Sequence, residues 1–222
     1  MAFEEPEIRE VLTGIHDANI SHSFIESYGD ECEEFVSAMA RAFQYFINLD
    51  GMLSTSEYGA YLAGVAYAAL SNHVLSLRLV LLGLIVPAGN LQRYVLECIA
   101  LALLGSDRNL PMFHEYINNR YSTTKAIKHV IRHHNRLGLN RDALEKLKNA
   151  ASFYDRYSHP TPLTLATTMA PGENGPCIVL GGIFDESKDK AYRKEIESRL
   201  GLAKTFVNFL EGIERNAGKW DA

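Results

Sequence analysis

Cysteine is scarce in this chain. Cys32, Cys98 and Cys177 are the three present among 222 residues, and an odd, widely spaced set supports neither a disulfide framework nor a cysteine-based zinc knuckle. A reducing cytoplasm is the expected setting. Excess positive charge is lacking too: 27 Asp and Glu outnumber 22 Lys and Arg, for a net charge of -5. The surface as a whole is therefore not that of a protein that coats nucleic acid. The first ten residues, MAFEEPEIRE, are acidic where a secretory signal would be basic and then apolar, which argues against export. No glycine-rich phosphate loop, internal repeat or low-complexity tract occurs, and no cofactor is implied.

Charge is also missing locally. From Tyr58 to Leu77 twenty residues pass without Asp, Glu, Lys or Arg, and a second uncharged run extends from Leu79 to Gln92. Length alone would permit a membrane-spanning hairpin. Asn72 and His73 interrupt the first run, Arg78 separates the two, and many positions are Ala or Gly, which lowers the drive into lipid. The expectation is a hairpin buried at the centre of the protein, with no membrane partner.

What is abundant is helical pattern, in a chain that is 47% hydrophobic and long enough for one substantial core. Phe35, Met39, Phe43 and Phe46 form one apolar stripe over residues 31–49. Ser54 and Glu57 have capping-box spacing and predict a helix from there to about Leu82, with Gly83 as its stop. Pro87 suits the first turn of the next helix, which runs to about Leu104. Further helices are predicted at about 110–119, 123–137 and 141–157, with Gly138 and the cap Asn140 between the last two. Residues 163–169 and 177–184 are apolar and β-branched around the turn formers of APGENGP, and read as a short β-hairpin. Ile196, Leu200, Ala203, Val207, Leu210 and Ile213 then mark a closing helix from about residue 187. The chain is expected to be a single domain over residues 1–222, an all-α multi-helix bundle with one short β-hairpin near residues 163–184.

Three constellations could carry chemistry. From Tyr116 through Arg141 there are six Lys and Arg and no acidic residue. At about 100° per residue, Lys125, His129, Arg132 and Arg136 share one face of a helix, with Lys128 and His133 at its flanks and His134 on the apolar side. The face is either solvated and balanced by acidic neighbours or a stripe that contacts RNA or another anion. His129 and His133 could both reach a metal, but the cations around them and the absence of a local carboxylate or cysteine predict no metal site. The second constellation is Arg93 with Glu97, one turn apart on an otherwise apolar helix, which either locks packing or lines a polar pocket. The third is YDRYSHPTP, residues 154–162. His159 precedes a proline and falls just past a helix end, where it and Arg156 complement the helix dipole. Tyr154 and Ser158, four apart, are left over as ligand-binding residues beside them.

The segment LVLLGLIVPAGNLQRYVLECIALALL, with its Arg93-x-x-x-Glu97, followed some sixty residues later by YDRYSHPT, resembles a family of all-helical bacterial proteins of unknown function that are distant relatives of the HEPN superfamily. The resemblance covers roughly residues 60 to 160. It implies a helical bundle that forms a homodimer and, for many HEPN domains, a metal-independent ribonuclease of toxin–antitoxin or phage-defence systems, in which an Arg precedes a His by four to six intervening residues. Here Arg156 and His159 have two residues between them. Arg9 with His16 and Arg108 with His114 match the spacing, the second pair across Pro111. Three readings follow. The chain is a non-enzymatic module that binds a partner protein or itself through its Tyr- and Phe-rich helices. Alternatively it is a ribonuclease or RNA binder with His159 as acid/base, Arg93 or Arg156 on the phosphate and Glu97 orienting them. The third is a small anionic, nucleotide-like ligand held around Arg93, Tyr154, Ser158 and His159.

Overall fold

A computed structural model describes residues 5–170, 175 and 177–220. Among these, nine α-helices and one two-stranded antiparallel hairpin make an all-α bundle. Helix α1 spans Glu5–Thr13, α2 Asp17–Leu53, α3 Glu57–Leu81, α4 Ile85–Gly105 and α5 Pro111–Ile117; α6 follows at Ala126–Arg132, α7 at Arg141–Asp155, α8 at Pro162–Thr167 and α9 at Asp189–Ala217. The hairpin is β1, Met169–Ala170, against β2, Cys177–Ile178.

Helices α3 and α4 form the expected hairpin and are the closest packed pair, with α2 and α9 lying against each other beside it; the burial expected of both helices holds for α4, whereas one side of α3 is exposed. The turn between α3 and α4 needs a glycine. Gly83 adopts φ +70, and a Cβ there would sit 2.4 Å from the backbone nitrogen of Ile183, so only Gly lets residues 181–184 lie against this turn. Helix α4 is buried almost without interruption from Val95 to Gly105, the mark of a helix packed on several sides, and α5, α6, α7 and α9 all touch it. The apolar stripes of α2 and α9 face this core, with Phe35, Met39, Phe46, Ile196, Leu200 and Leu210 buried. In α2 the helix is broken at Tyr28, whose φ of -139 lets its hydroxyl donate to Asp189 Oδ1 at 2.7 Å.

Several boundaries differ from the sequence expectation, each for a local reason. Ser54 ends α2, and the cap of α3 is Ser56, whose Oγ accepts from the Gly59 amide at 3.2 Å; among the three hydroxyl residues in a row, tertiary packing chose the last. Helix α6 stops at Arg132, since His133, His134 and Asn135 are weak helix formers and His134 Nδ1 turns back onto the Ile131 carbonyl at 2.9 Å. His134 is thus half-buried at a helix end. The first arm of the expected hairpin is mostly helical. Thr161 and Thr164 form a capping box with Pro162 in the first turn, and this start signal outweighs the β-branched composition of residues 163–168. Only Met169–Ala170 remains extended, paired with Cys177–Ile178. Most of the APGENGP turn lies outside the described residues.

Candidate functional site

The residues of YDRYSHP divide between two sides of the chain that carries them. Helix α7 ends at Asp155 and one 3-10 turn, Arg156–Ser158, follows, so the side chains at 154 and 157 point one way and those at 155 and 158 another. Outward, Asp155 pairs with Arg93 on α4, and Arg93 Nη1 also donates to Ser158 Oγ at 3.0 Å. Ser158 in turn lies 3.1 Å from Asn90 Oδ1. Arg93 Nε reaches Glu97 Oε1 at 3.2 Å, and Glu97 Oε2 accepts from Thr123 Oγ1 at 2.9 Å. The Arg93–Glu97 pair is therefore partly buried, as expected, and both locks α4 to its neighbours and lines a cleft. That cleft, about 530 Å³ between α4, α6 and α7, has Arg93, Glu97, Lys128, Lys148 and Asp155 on its walls.

Inward, Tyr154 and Tyr157 both reach Glu195 on α9. The Tyr157 hydroxyl donates to Oε1 at 2.8 Å, and the Tyr154 hydroxyl lies 3.2 Å from Oε2 and 3.1 Å from Ser198 Oγ. Burial pushes the Tyr154 phenol up to about 12 and raises Tyr157 further, so both stay protonated. Tyr154 accordingly does not join Arg93 and Ser158. The close approach of Tyr157 to α4 requires Gly89, where a Cβ would fall 2.5 Å from the tyrosine ring.

Glu195 belongs to a buried network over which the sequence reading passes. Arg199, with no exposed surface, donates from Nη1 to Glu195 Oε2 at 2.6 Å, from Nε to Ser76 Oγ at 2.6 Å and from Nη2 to the Ala88 carbonyl at 3.0 Å. His73 on α3 donates from Nε2 to the Arg199 carbonyl at 3.0 Å and faces the Gln92 carboxamide with Nδ1 at 3.0 Å. Burial lowers this histidine to about 4 and leaves it neutral. The signal was present: Glu195 and Arg199 are one turn apart beside Ile196 and Leu200, the same pattern that marks Arg93 and Glu97.

No protein-family model matches the chain, and neither curated proteins nor solved structures give a significant match. The site therefore has to be judged on its geometry.

The basic stripe is shorter than its helical projection. Lys125, Lys128 and Arg132 are exposed on or beside α6, but Arg136 lies past the end of that helix and turns to Asp107, with Nε to Oδ2 at 2.5 Å. This bond holds the Asp107 carboxyl below its usual range. His129 Nδ1 lies 2.9 Å from the Tyr121 hydroxyl. Burial first, and then Arg132, His133, Lys125 and Lys128, lower its pKa, so it adds less charge to the stripe than a solvated histidine would. Among the described residues no group of three His, Cys, Asp or Glu side chains converges as a metal site would require. His159 is exposed and extended, φ -131 and ψ 152, as its following proline dictates; its carbonyl accepts from Thr164 Oγ1 at 3.2 Å. Arg156 is exposed beside it. Of the HEPN-spaced pairs, Arg9 bonds Glu5 and His16 bonds Glu10, while Arg108 donates to Ser56 and stacks 4.0 Å over the Trp220 ring.

Proposed function

We propose that this chain is a non-enzymatic helical interaction module that works as a homodimer, two copies pairing antiparallel through α3. The observation that carries this reading is the exposed face of α3. One helix among the described residues is long and apolar enough to cross a membrane, and it is this one; part of it is buried in the bundle, while Ala60, Tyr61, Gly64, Tyr67, Val74 and Leu75 are exposed along one side. The face is closed at one end by Glu57 and at the other by Arg78, both exposed and neither ion-paired among the described residues. The midpoint between them falls between Tyr67 and Ala68. Reversing a second copy about that point sets Glu57 against the other Arg78, Tyr67 against Ala68 and Gly64 against Ser71, so charge meets opposite charge and large meets small. An isologous pair needs such self-complementarity, and exposed tyrosines with few charges are the composition of an interface core.

Light scattering on the purified chain tests it. A dimer is expected at micromolar concentration, and Tyr67→Glu, which places two like charges next to each other at the axis, should give the folded monomer. Glu57→Lys and Arg78→Glu should each weaken the dimer several-fold, and the double exchange should restore it. A wild-type monomer, a monomer that binds neutral phospholipid vesicles through α3, or a charge exchange that fails to recover affinity would each overturn the proposal.

A second reading, contact with a phosphate-bearing chain, is favoured by Lys125, Lys128 and Arg132, exposed and without ion pairs among the described residues. Its ribonuclease form assigns His159 as acid/base and Arg93 or Arg156 to the phosphate. Against Arg93 in that role stand its two carboxylate partners, Glu97 and Asp155. RNA affinity that falls steeply with salt, together with cleavage lost in His159→Ala, would make this the better account.

A further inference from the structure

We infer a ligand pocket for an amphipathic organic anion, an aromatic body carrying one carboxylate or similar group, between α7, α8 and α9. This cavity is separate from the α3 face and from the Arg93 cleft. It has a volume of about 310 Å³ and apolar walls from Ile85, Phe153, Tyr157, Leu163, Ala191 and Tyr192, which is at the small end of ligand sites. Three rings on the wall suit a planar apolar body. Its rim is cationic. Arg156, Lys188 and Lys194 line it, and Lys188 is held by Asp185 and the Met169 carbonyl. Arg156 and Lys194 have no carboxylate partner among the described residues; the Lys194 ammonium lies 4.9 Å from the Phe153 ring centroid.

The one carboxylate in the lining is Glu195, and its oxygens are already occupied by Tyr154, Tyr157 and Arg199. It therefore leaves the rim positive. An apolar cavity with two uncommitted cations at its mouth is complementary to a ligand that is apolar at one end and anionic at the other, and a neutral ligand of the same shape would forgo the charge-assisted contacts.

Calorimetric titration with 1-naphthoate and with its neutral analogue 1-naphthamide tests this on the whole protein. One saturable site per chain is expected for naphthoate, with naphthamide at least about tenfold weaker. The double variant Arg156→Gln, Lys194→Gln should remove that preference. Leu163→Trp, which fills the cavity, should abolish binding of both; Ala191→Phe at the exposed rim provides the same block where the first variant melts below wild type. No saturable heat up to millimolar naphthoate would overturn the inference. So would equal affinity for the amide, or unchanged affinity in both filled variants.

Discussion

Removing Arg199 tests whether the centre of the bundle is held by a buried ion pair. Arg199→Met keeps the stem and discards the guanidinium, which leaves the Glu195 carboxylate with only its tyrosine donors and strips Ser76 Oγ and the Ala88 carbonyl of a partner. Breaking a buried pair from one side costs about 3–5 kcal/mol, because the remaining charge is uncompensated. Against a total stability of roughly 5–15 kcal/mol the variant should stay folded at 20 °C and melt about 6–20 °C below wild type, at 2–4 °C per kcal/mol. Urea denaturation at unchanged m-value reads the free energy directly. Glu195→Leu with Arg199→Met removes both charges, and should lose less than the two single costs added, by a coupling of at least about 2 kcal/mol. A single-variant cost under about 1 kcal/mol, or additivity within about 0.5 kcal/mol, would refute the assignment of this pair as the structural centre.

Three further outcomes follow from the same contacts. His73 has its folded pKa depressed to about 4 from 6.5, so the unfolded state takes up its proton first: the stability it supports is complete above pH 6.5 and falls as pH drops toward 4, by about 3 kcal/mol at 1.36 kcal/mol per unit. The difference in urea stability between wild type and His73→Gln should narrow by that amount across this window; a pH-independent difference would sink the argument. Gly89→Ala drives a methyl into the Tyr157 ring and should cost about 1–3 kcal/mol, whereas Gly64→Ala, with nothing within 4 Å, should leave the monomer's stability unchanged or slightly raised, as melting curves would register. Arg93→Leu leaves Asp155 and Glu97 without their shared cation. Amide exchange should then quicken around residues 155–159 more than in α9, and equal protection would show that the Arg93 node does not hold this turn.

The fold was legible where one signal dominated. The uncharged runs on either side of Arg78, interrupted by Asn72 and His73 and rich in Ala and Gly, favoured a packed hairpin over a membrane one, and they fall in α3, the turn after it and the start of α4; the period of Ile196, Leu200 and Ala203 placed the core face of α9. Boundaries failed where signals competed. Ser54, Thr55 and Ser56 offer three hydroxyls for one cap, and residues 163–168 have strand-forming side chains behind a helix-starting Thr161 and Pro162. The site was harder still, because a helical wheel assumes that the helix continues. Arg136 left the basic stripe when α6 stopped at Arg132, and found Asp107 instead.

YDRYSHP illustrates the remaining difficulty. Four of its residues are polar partners, but which partner each finds depends on the 3-10 turn that follows α7 and packs against α4, where Gly89 admits the Tyr157 ring. Tyr154 and Tyr157 are thereby committed to Glu195, and Asp155 and Ser158 to Arg93. Residues that look like one reactive cluster in sequence are thus two anchors facing opposite ways, with His159 and Arg156 the members left exposed. If the segment has chemistry of its own, it must reside in those two side chains or at the neighbouring pocket mouth. Of the two, Arg156 lines that mouth and His159 does not, so Arg156→Gln and His159→Ala, measured separately in the naphthoate titration, should differ: the first weakens binding several-fold, and the second leaves it unchanged.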